Sequence, residues 1–150
     1  MPQSLSQMLA HLVFSTKNRE ARLLDSDRDD LHAYIGGILK NHHGVLLKCG
    51  SVADHIHLLL ALPRTIAPAD LVREIKMASS VWLKNRGESY RDFHWQSGYG
   101  IFSISPSHRV AVEQYIGNQA KHHREVSFQE EYRQLLKKYD MPYDEQYVWD

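Results

Sequence analysis

Along this 150-residue chain the apolar positions change period, from the two-residue alternation of strands to the three-and-four spacing of helices. Met8 to Thr16 is apolar and partly β-branched and ends at the polar Lys17-Asn18-Arg19, which predicts a first strand. Leu31, Tyr34, Ile35, Ile38 and Leu39 recur at helical spacing, so a helix is expected from a cap at Asp25 or Ser26 to about Lys40, stopped by Gly44. Val45 to Val52 and His55 to Leu62 read as two strands. Only Ala53-Asp54 joins them, which implies an antiparallel hairpin.

Pro63 and Pro68 bracket a loop, and a second helix is expected from about Pro68 to Asn85. It carries Leu71, Val72, Ile75, Ala78, Ser79 and Trp82 on one face, with proline in its first turn and Gly87 after its end. Phe93 to Ile104 suits a fourth strand, with Gly98 and Gly100 marking a bulge. Ser105-Pro106 opens a third helix through about His123, and Phe128 to Lys138 forms a fourth, followed by a tail rich in tyrosine and acid. The order is β-α-β-β-α-β-α-α. Its first six elements fit an α+β class, the split βαβ or ferredoxin-like plan: an antiparallel sheet with helices on one face. No internal repeat, low-complexity stretch or interdomain linker interrupts it.

Composition adjusts this picture little. Hydrophobic residues at 43% and charged ones at 24% are ordinary for a globular chain. No apolar run approaches the roughly 20 residues needed to span a bilayer. Met1-Pro2-Gln3-Ser4 lacks the basic start and apolar stretch of a secretory signal, and the single Cys49 forbids an intramolecular disulfide. A cytoplasmic protein is therefore expected, and Cys49 itself reads as a buried small residue.

Charge is more informative by region than in total. The formal net charge is zero, yet residues 125–150 hold seven acids and three bases. Taking these from eighteen of each leaves fifteen bases and eleven acids in residues 1–124, a body at +4 with a tail at −4. That asymmetry permits a basic binding face beside an acidic appendage.

Two short motifs carry candidate chemistry. In Asp54-His55-Ile56-His57 the strand alternation turns both imidazoles to one face and Ile56, Leu58 and Leu60 to the other. Two imidazoles so placed can reach one divalent ion, although ten histidines make a His-x-His pair unsurprising. In Tyr115-Ile116-Gly117-Asn118-Gln119 the helical spacing makes Tyr115 and Gln119 neighbours. Gln119 is a modest ligand for a hard cation such as Mg²⁺. Alone, each motif is equally a packed or solvated surface feature. Together they supply the parts of one reaction: a nucleophile for a phosphodiester and a positive charge for its non-bridging oxygens.

His-hydrophobic-His, Tyr-Ile-x-Asn-Gln and the element order resemble the HUH-endonuclease single-tyrosine transposases of the insertion sequence 200/605 group. The resemblance spans roughly residues 8–124. It takes in His11-Leu12-Val13-Phe14-Ser15-Thr16-Lys17, the helix with Leu71, Val72 and Lys76, and Trp95-Gln96-Ser97-Gly98-Tyr99. It implies a transposase and single-strand endonuclease, dependent on Mg²⁺ or Mn²⁺, that leaves a 5′-phosphotyrosine and a free 3′-OH. Its DNA would be single-stranded with hairpin-forming ends, and its site would be met in the nucleoid. By position His55, His57 and Gln119 match the ligands and Tyr115 the nucleophile, and with all four present activity is expected. The resemblance also implies a homodimer in which one subunit's tyrosine helix can complete the partner's histidine pair. On this reading residues 1–150 form one nuclease domain, of which 125–150 is a helical, acidic extension. That extension is similar to the longer ends of transposase relatives associated with repetitive extragenic palindromes.

Further positions are weighed against plainer roles. Asp54 is a turn residue or a partner of a histidine. His123, four residues after Gln119, comes near the ligands, whereas His42, His43 and His94 read as surface. Lys17, Arg19, Arg22, Arg64, Arg73, Lys76, Lys84, Arg86, Lys121 and Arg124 are candidate phosphate contacts. Trp95 and Tyr99 either stack on unpaired bases or belong to the core. The competing function is a non-catalytic single-stranded nucleic-acid binding module of ferredoxin-like fold, reading bases on an open sheet face. A metal hydrolase acting through bound water would leave Tyr115 without a role.

Overall fold

The structure is a computed structural model and describes residues 2–150. Its strands are β1 (Leu9–Ser15), β2 (Val45–Ser51), β3 (His55–Ala61) and β4 (Gly100–Ile104). Its helices are α1 (Asp25–Asn41), α2 (Pro68–Lys84), α3 (Arg109–Gly117), α4 (Gln119–His122) and α5 (Phe128–Lys138). The four strands form one antiparallel sheet in the order β2-β3-β1-β4, the ferredoxin-like arrangement expected. No helix among the described residues is long and apolar enough to cross a membrane.

Alternation assigns the two faces. Ala10, Leu12 and Phe14 of β1 and Ile56, Leu58 and Leu60 of β3 point one way. They pack with Leu31, Ile35 and Leu39 of α1 and Leu71, Val72 and Ile75 of α2. The opposite parity puts Leu9, Val13 and Leu59 on the other face, where Ile116 of α3 and Phe128 and Tyr132 of α5 cover them. Helices therefore cover both faces, and β1 is buried along its whole length. A module that reads bases on an open sheet face would find that face closed.

Several local expectations change. The residue that ends α1 in a left-handed conformation is His43, at φ 65°, and not Gly44. The Gly44 amide then bonds back to the Leu39 carbonyl at 2.8 Å and that of His43 to Lys40 at 3.1 Å, the Schellman pattern. At the start of α1 the capping residue is Leu24, with Asp25 already helical and no side-chain cap. The fourth strand is shorter than its apolar run. Phe93 and Trp95 turn into the helix-covered core, Trp95 makes an isolated bridge with Thr16, and the continuous pairing with β1 is confined to Gly100–Ile104. The irregularity of register lies in β2, between Leu46 and Lys48, and not at Gly98 and Gly100. The third helix is interrupted at Asn118 (φ −99°, ψ 16°), next to Gly117, two adjacent weak helix formers.

Helix α5 begins with a capping box, in which Ser127 accepts from the Glu130 amide and Glu130 accepts from the Ser127 amide. Its inward stripe is Phe128, Glu131, Tyr132, Leu135 and Leu136, apolar except for one acid. Beyond it, Val148 and Trp149 fold back onto the same cluster. Two glycines admit these covering helices: a Cβ at Gly50 would stand 2.3 Å from the Ile116 carbonyl oxygen, and one at Gly100 would stand 2.8 Å from the Tyr132 hydroxyl.

Candidate active site

His55 and His57 share a face of β3 as their spacing predicts, and His11 of β1 stands on the same face. Their side chains are buried, and burying imidazoles requires partners. His57 Nδ1 lies 2.7 Å from His11 Nε2, and His55 Nδ1 lies 2.7 Å from Asp54 Oδ1. Asp54 is thus more than a turn residue, because it holds the first histidine from behind. With each Nδ1 engaged outward, both Nε2 atoms face inward, an arrangement typical of imidazoles poised to bind a metal.

The C-terminal helices bring the remaining groups to those nitrogens. Gln119 is buried and places its Oε1 3.3 Å from His55 Nε2, while its Nε2 donates to the Tyr115 carbonyl at 3.3 Å. Tyr115 sits within 6 Å of His57, ring centroid to centroid at 5.8 Å. At the centre is Glu131 of α5, only 1% exposed. Its Oε1 lies 2.8 Å from His57 Nε2, 2.9 Å from His123 Nε2 and 3.3 Å from His55 Nε2. Its Oε2 accepts the hydroxyl of Tyr115.

Sequence reasoning missed Glu131 and gave His11 no role in the site. The available signal for Glu131 was its place on the apolar stripe of α5, where an unpaired acid is costly. All four expected residues, His55, His57, Tyr115 and Gln119, come together within one chain, and His123 joins them.

The electrostatics follow from this burial. Desolvation lowers His11 to about 3 and His57 to about 4, so both are neutral near pH 7. For His55 desolvation acts the same way, but hydrogen bonds to Asp54 and Glu131 outweigh it and its pKa is raised. Desolvation opposes the charge on Glu131 too, yet bonds from His123, His55 and His57 prevail and hold it as a carboxylate. Burial, reinforced by the Glu131 charge, raises the Tyr115 phenol above its ordinary range.

The donor set fits a divalent cation. One ligand atom from each of His55, His57, His123 and Glu131 lies within 4.8 Å of the others. His122 Nε2 is buried beside them, 3.2 Å from Glu131 Oε2 but without the alignment of a hydrogen bond. A cavity of about 680 Å³ adjoins Tyr115 and Glu131, lined also by His11, Ser103, Ile104 and Lys138.

The candidate phosphate contacts divide. Lys17, Arg64, Arg73, Lys84, Lys121 and Arg124 are exposed, Arg73 in contact with Asp70 at 3.0 Å. Arg19 turns toward the C-terminal tail and donates to the Trp149 carbonyl. Arg22 and Arg86 are held by Asp92 and by Asp27 and Asp30 respectively. Lys76 points inward, contrary to a phosphate-binding role. Its ammonium donates to the carbonyls of Gln96, Ser97 and Gly98, and burial lowers it to about 8. Trp95 is a core residue, stacked edge-on against Phe14 and Phe93 and bonded to Ser79. Cys49, expected to be buried, is partly buried against the same core.

Residues 4–119 match the family model of IS200-like transposases, and the chain belongs to that family. No curated protein matches the sequence. Two solved structures share the fold. A candidate transposase from Deinococcus radiodurans is 24% identical with a TM-score of 0.61, over 79% of this chain and 98% of that one. A REP-associated tyrosine transposase bound to a REP hairpin is 16% identical with a TM-score of 0.61, over 84% of this chain and 74% of that one. The family match ends at Gln119, before His122, His123 and Glu131.

Proposed function

We propose that this IS200-like transposase cuts and rejoins single-stranded DNA through a phosphotyrosine on Tyr115, at a divalent-metal site that includes His55, His57 and Gln119. One observation carries the reading: the Tyr115 hydroxyl and the inward Nε2 atoms of both histidines converge on a single carboxylate within one chain. A bound Mg²⁺ or Mn²⁺ supplies positive charge to the non-bridging oxygens of the scissile phosphate. His57, neutral near pH 7, offers a lone pair without spending that charge, and the Gln119 amide does the same.

Tyr115 Oη attacks phosphorus and the bond to the 3′ oxygen breaks; that oxygen takes a proton from water and its strand leaves with a free 3′-OH, while the other strand stays on Tyr115 through its 5′ phosphate. The phenol proton passes to Glu131 Oε2, its hydrogen-bond partner. Because the phenol is raised and the carboxylate lowered, the proton stays on Tyr115 until attack is under way. Rejoining reverses these steps: a second 3′-OH attacks the phosphotyrosine, and Tyr115 recovers its proton.

The substrate in this reading is hairpin-ended single-stranded DNA, by analogy with the hairpin that the REP-associated relative binds. Exposed Lys17, Lys121 and Arg124 are the cations proposed for its phosphates, and the protein acts in the cytoplasm, on the nucleoid. Catalysis in cis suffices, since one chain holds the nucleophile and the ligands; a homodimer of the kind the resemblance implies is not needed to complete the site.

The test is incubation with hairpin-ended single strands and Mn²⁺, followed by a denaturing gel. Wild-type protein gives a shifted covalent band, which EDTA and Tyr115→Phe both remove. An adduct that persists in Tyr115→Phe sinks the reading. Binding that ignores chelator, with no adduct at all, favours the non-catalytic module.

A further inference from the structure

We infer that Glu131 is itself a ligand of the divalent ion, so that α5, which lies beyond the family-matched segment, supplies the one anionic donor of the site. The inference rests on the metal reading above.

The tautomers lead to it. His123 Nδ1 is 2.6 Å from the Val126 carbonyl oxygen, which can only accept, so Nδ1 carries the proton and a neutral His123 presents a lone pair at Nε2. His55 Nδ1 faces the Asp54 carboxylate in the same way, and His57 Nδ1 faces His11 Nε2. The Nε2 atoms of His123, His55 and His57 stand 2.9, 3.3 and 2.8 Å from Glu131 Oε1, spacings bridged by shared protons or, in their place, by a cation. With each Nδ1 fixed on an outward partner, a divalent ion that displaces those protons meets three inward lone pairs and one anionic oxygen.

The dimensions agree. The four ligand atoms lie within 4.8 Å of one another, near the roughly 4.2 Å that separates opposite oxygen or nitrogen ligands of a Mg²⁺ ion held at about 2.1 Å. His122 Nε2, buried and without a hydrogen bond, faces the same carboxylate. The two oxygens of Glu131 then have separate roles: Oε1 belongs to the metal and Oε2 orients the Tyr115 hydroxyl. A carboxylate also changes the character of the site. Two imidazoles and an amide favour borderline metals, whereas an added anionic oxygen favours Mg²⁺ or Mn²⁺.

Mn²⁺ titration without DNA, followed by the electron paramagnetic resonance signal of the free ion, tests this directly. Wild type, His57→Ala, Glu131→Gln and the exposed, remote control Glu88→Gln are compared, with circular dichroism to verify folding. Wild type and Glu88→Gln bind alike, His57→Ala loses binding, and Glu131→Gln weakens it by about tenfold or more. Equal or tighter binding by Glu131→Gln overturns the inference, because the carboxylate would then merely occupy the metal's place. Should Glu131→Gln fail to fold, Glu131→Asp decides. Withdrawing the carboxylate by one methylene must weaken binding, and unchanged affinity in a natively folded variant overturns the proposal. If wild type binds no Mn²⁺, the metal reading itself fails, an outcome distinct from either.

Discussion

The two faces of the sheet are built from the same strands and do opposite work. Toward α1 and α2, Leu12, Phe14, Ile56, Leu58 and Leu60 are fully buried in hydrocarbon, a face that specifies the fold by packing alone. Toward α3 and α5, one residue along each strand, stand His11, His55 and His57, buried as deeply but tied to one another and to Glu131. Equal burial with unequal chemistry means unequal vulnerability. The apolar face fails by leaving cavities, whereas the polar face fails when a single partner is removed and the others are left unsatisfied.

The strongest separation of the faces comes from paired substitutions. Tyr115→Phe removes one hydroxyl from the polar face and is expected to abolish the covalent DNA adduct on a denaturing gel while the protein stays folded. Leu58→Ala, on the apolar face, is expected to lower the urea-derived unfolding free energy by about 2–5 kcal/mol and to leave adduct yield per folded molecule near wild type. Comparable loss of adduct in both would mean that the faces are not separable.

Gly50→Ala is an intermediate case. The new Cβ meets the Ile116 carbonyl, a backbone atom, so α3 must move. An unfolding penalty of about 1–3 kcal/mol is expected together with a reduced rate of adduct formation, since α3 carries Tyr115. Full activity with reduced stability would show that α3 tolerates the displacement.

Acid distinguishes the faces without mutation. His11 and His57 titrate near 6.5 when unfolded but at about 3 and about 4 when folded, so the unfolded chain binds more protons between these values. Their contribution is complete above pH 6.5 and declines as the pH falls toward 4, each by up to about 1.4 kcal/mol per pH unit. His55, raised in the folded state, partly offsets this. Urea midpoints in EDTA at pH 7 and pH 5 are expected to fall with acid; midpoints independent of pH would contradict the buried neutral imidazoles. The smallest effect is expected from Ser127→Ala, which removes the cap of α5 and about 1 kcal/mol by thermal unfolding. Through Glu131 it should also weaken Mn²⁺ binding slightly.

Much of this arrangement was legible beforehand because it is periodic. The two-residue repeat set His55 and His57 on one face and Ile56, Leu58 and Leu60 on the other, and the structure keeps that division. The short link forced the hairpin of β2 and β3, although it is Val52-Ala53-Asp54, one residue longer than the expected Ala53-Asp54. The apolar run ending at Ile104 misled, because a run of aromatics reads as strand even where Phe93 and Trp95 serve as core plugs. Local pattern records that a residue is to be buried, not against what.

The sequence by itself determined the alternation on each strand, the order of elements and the residue types able to hold a metal and attack a phosphodiester. Those properties depend on neighbours a few positions apart. Only the tertiary structure decided that Glu131, 74 residues after His57, meets it. In sequence Glu131 is one of seven acids in the tail; what selects it is that α5 docks on the site with that one acid on its buried stripe. Once dehydrated there, a carboxylate has to be paired, and the unpaired nitrogens of the histidines are what it meets.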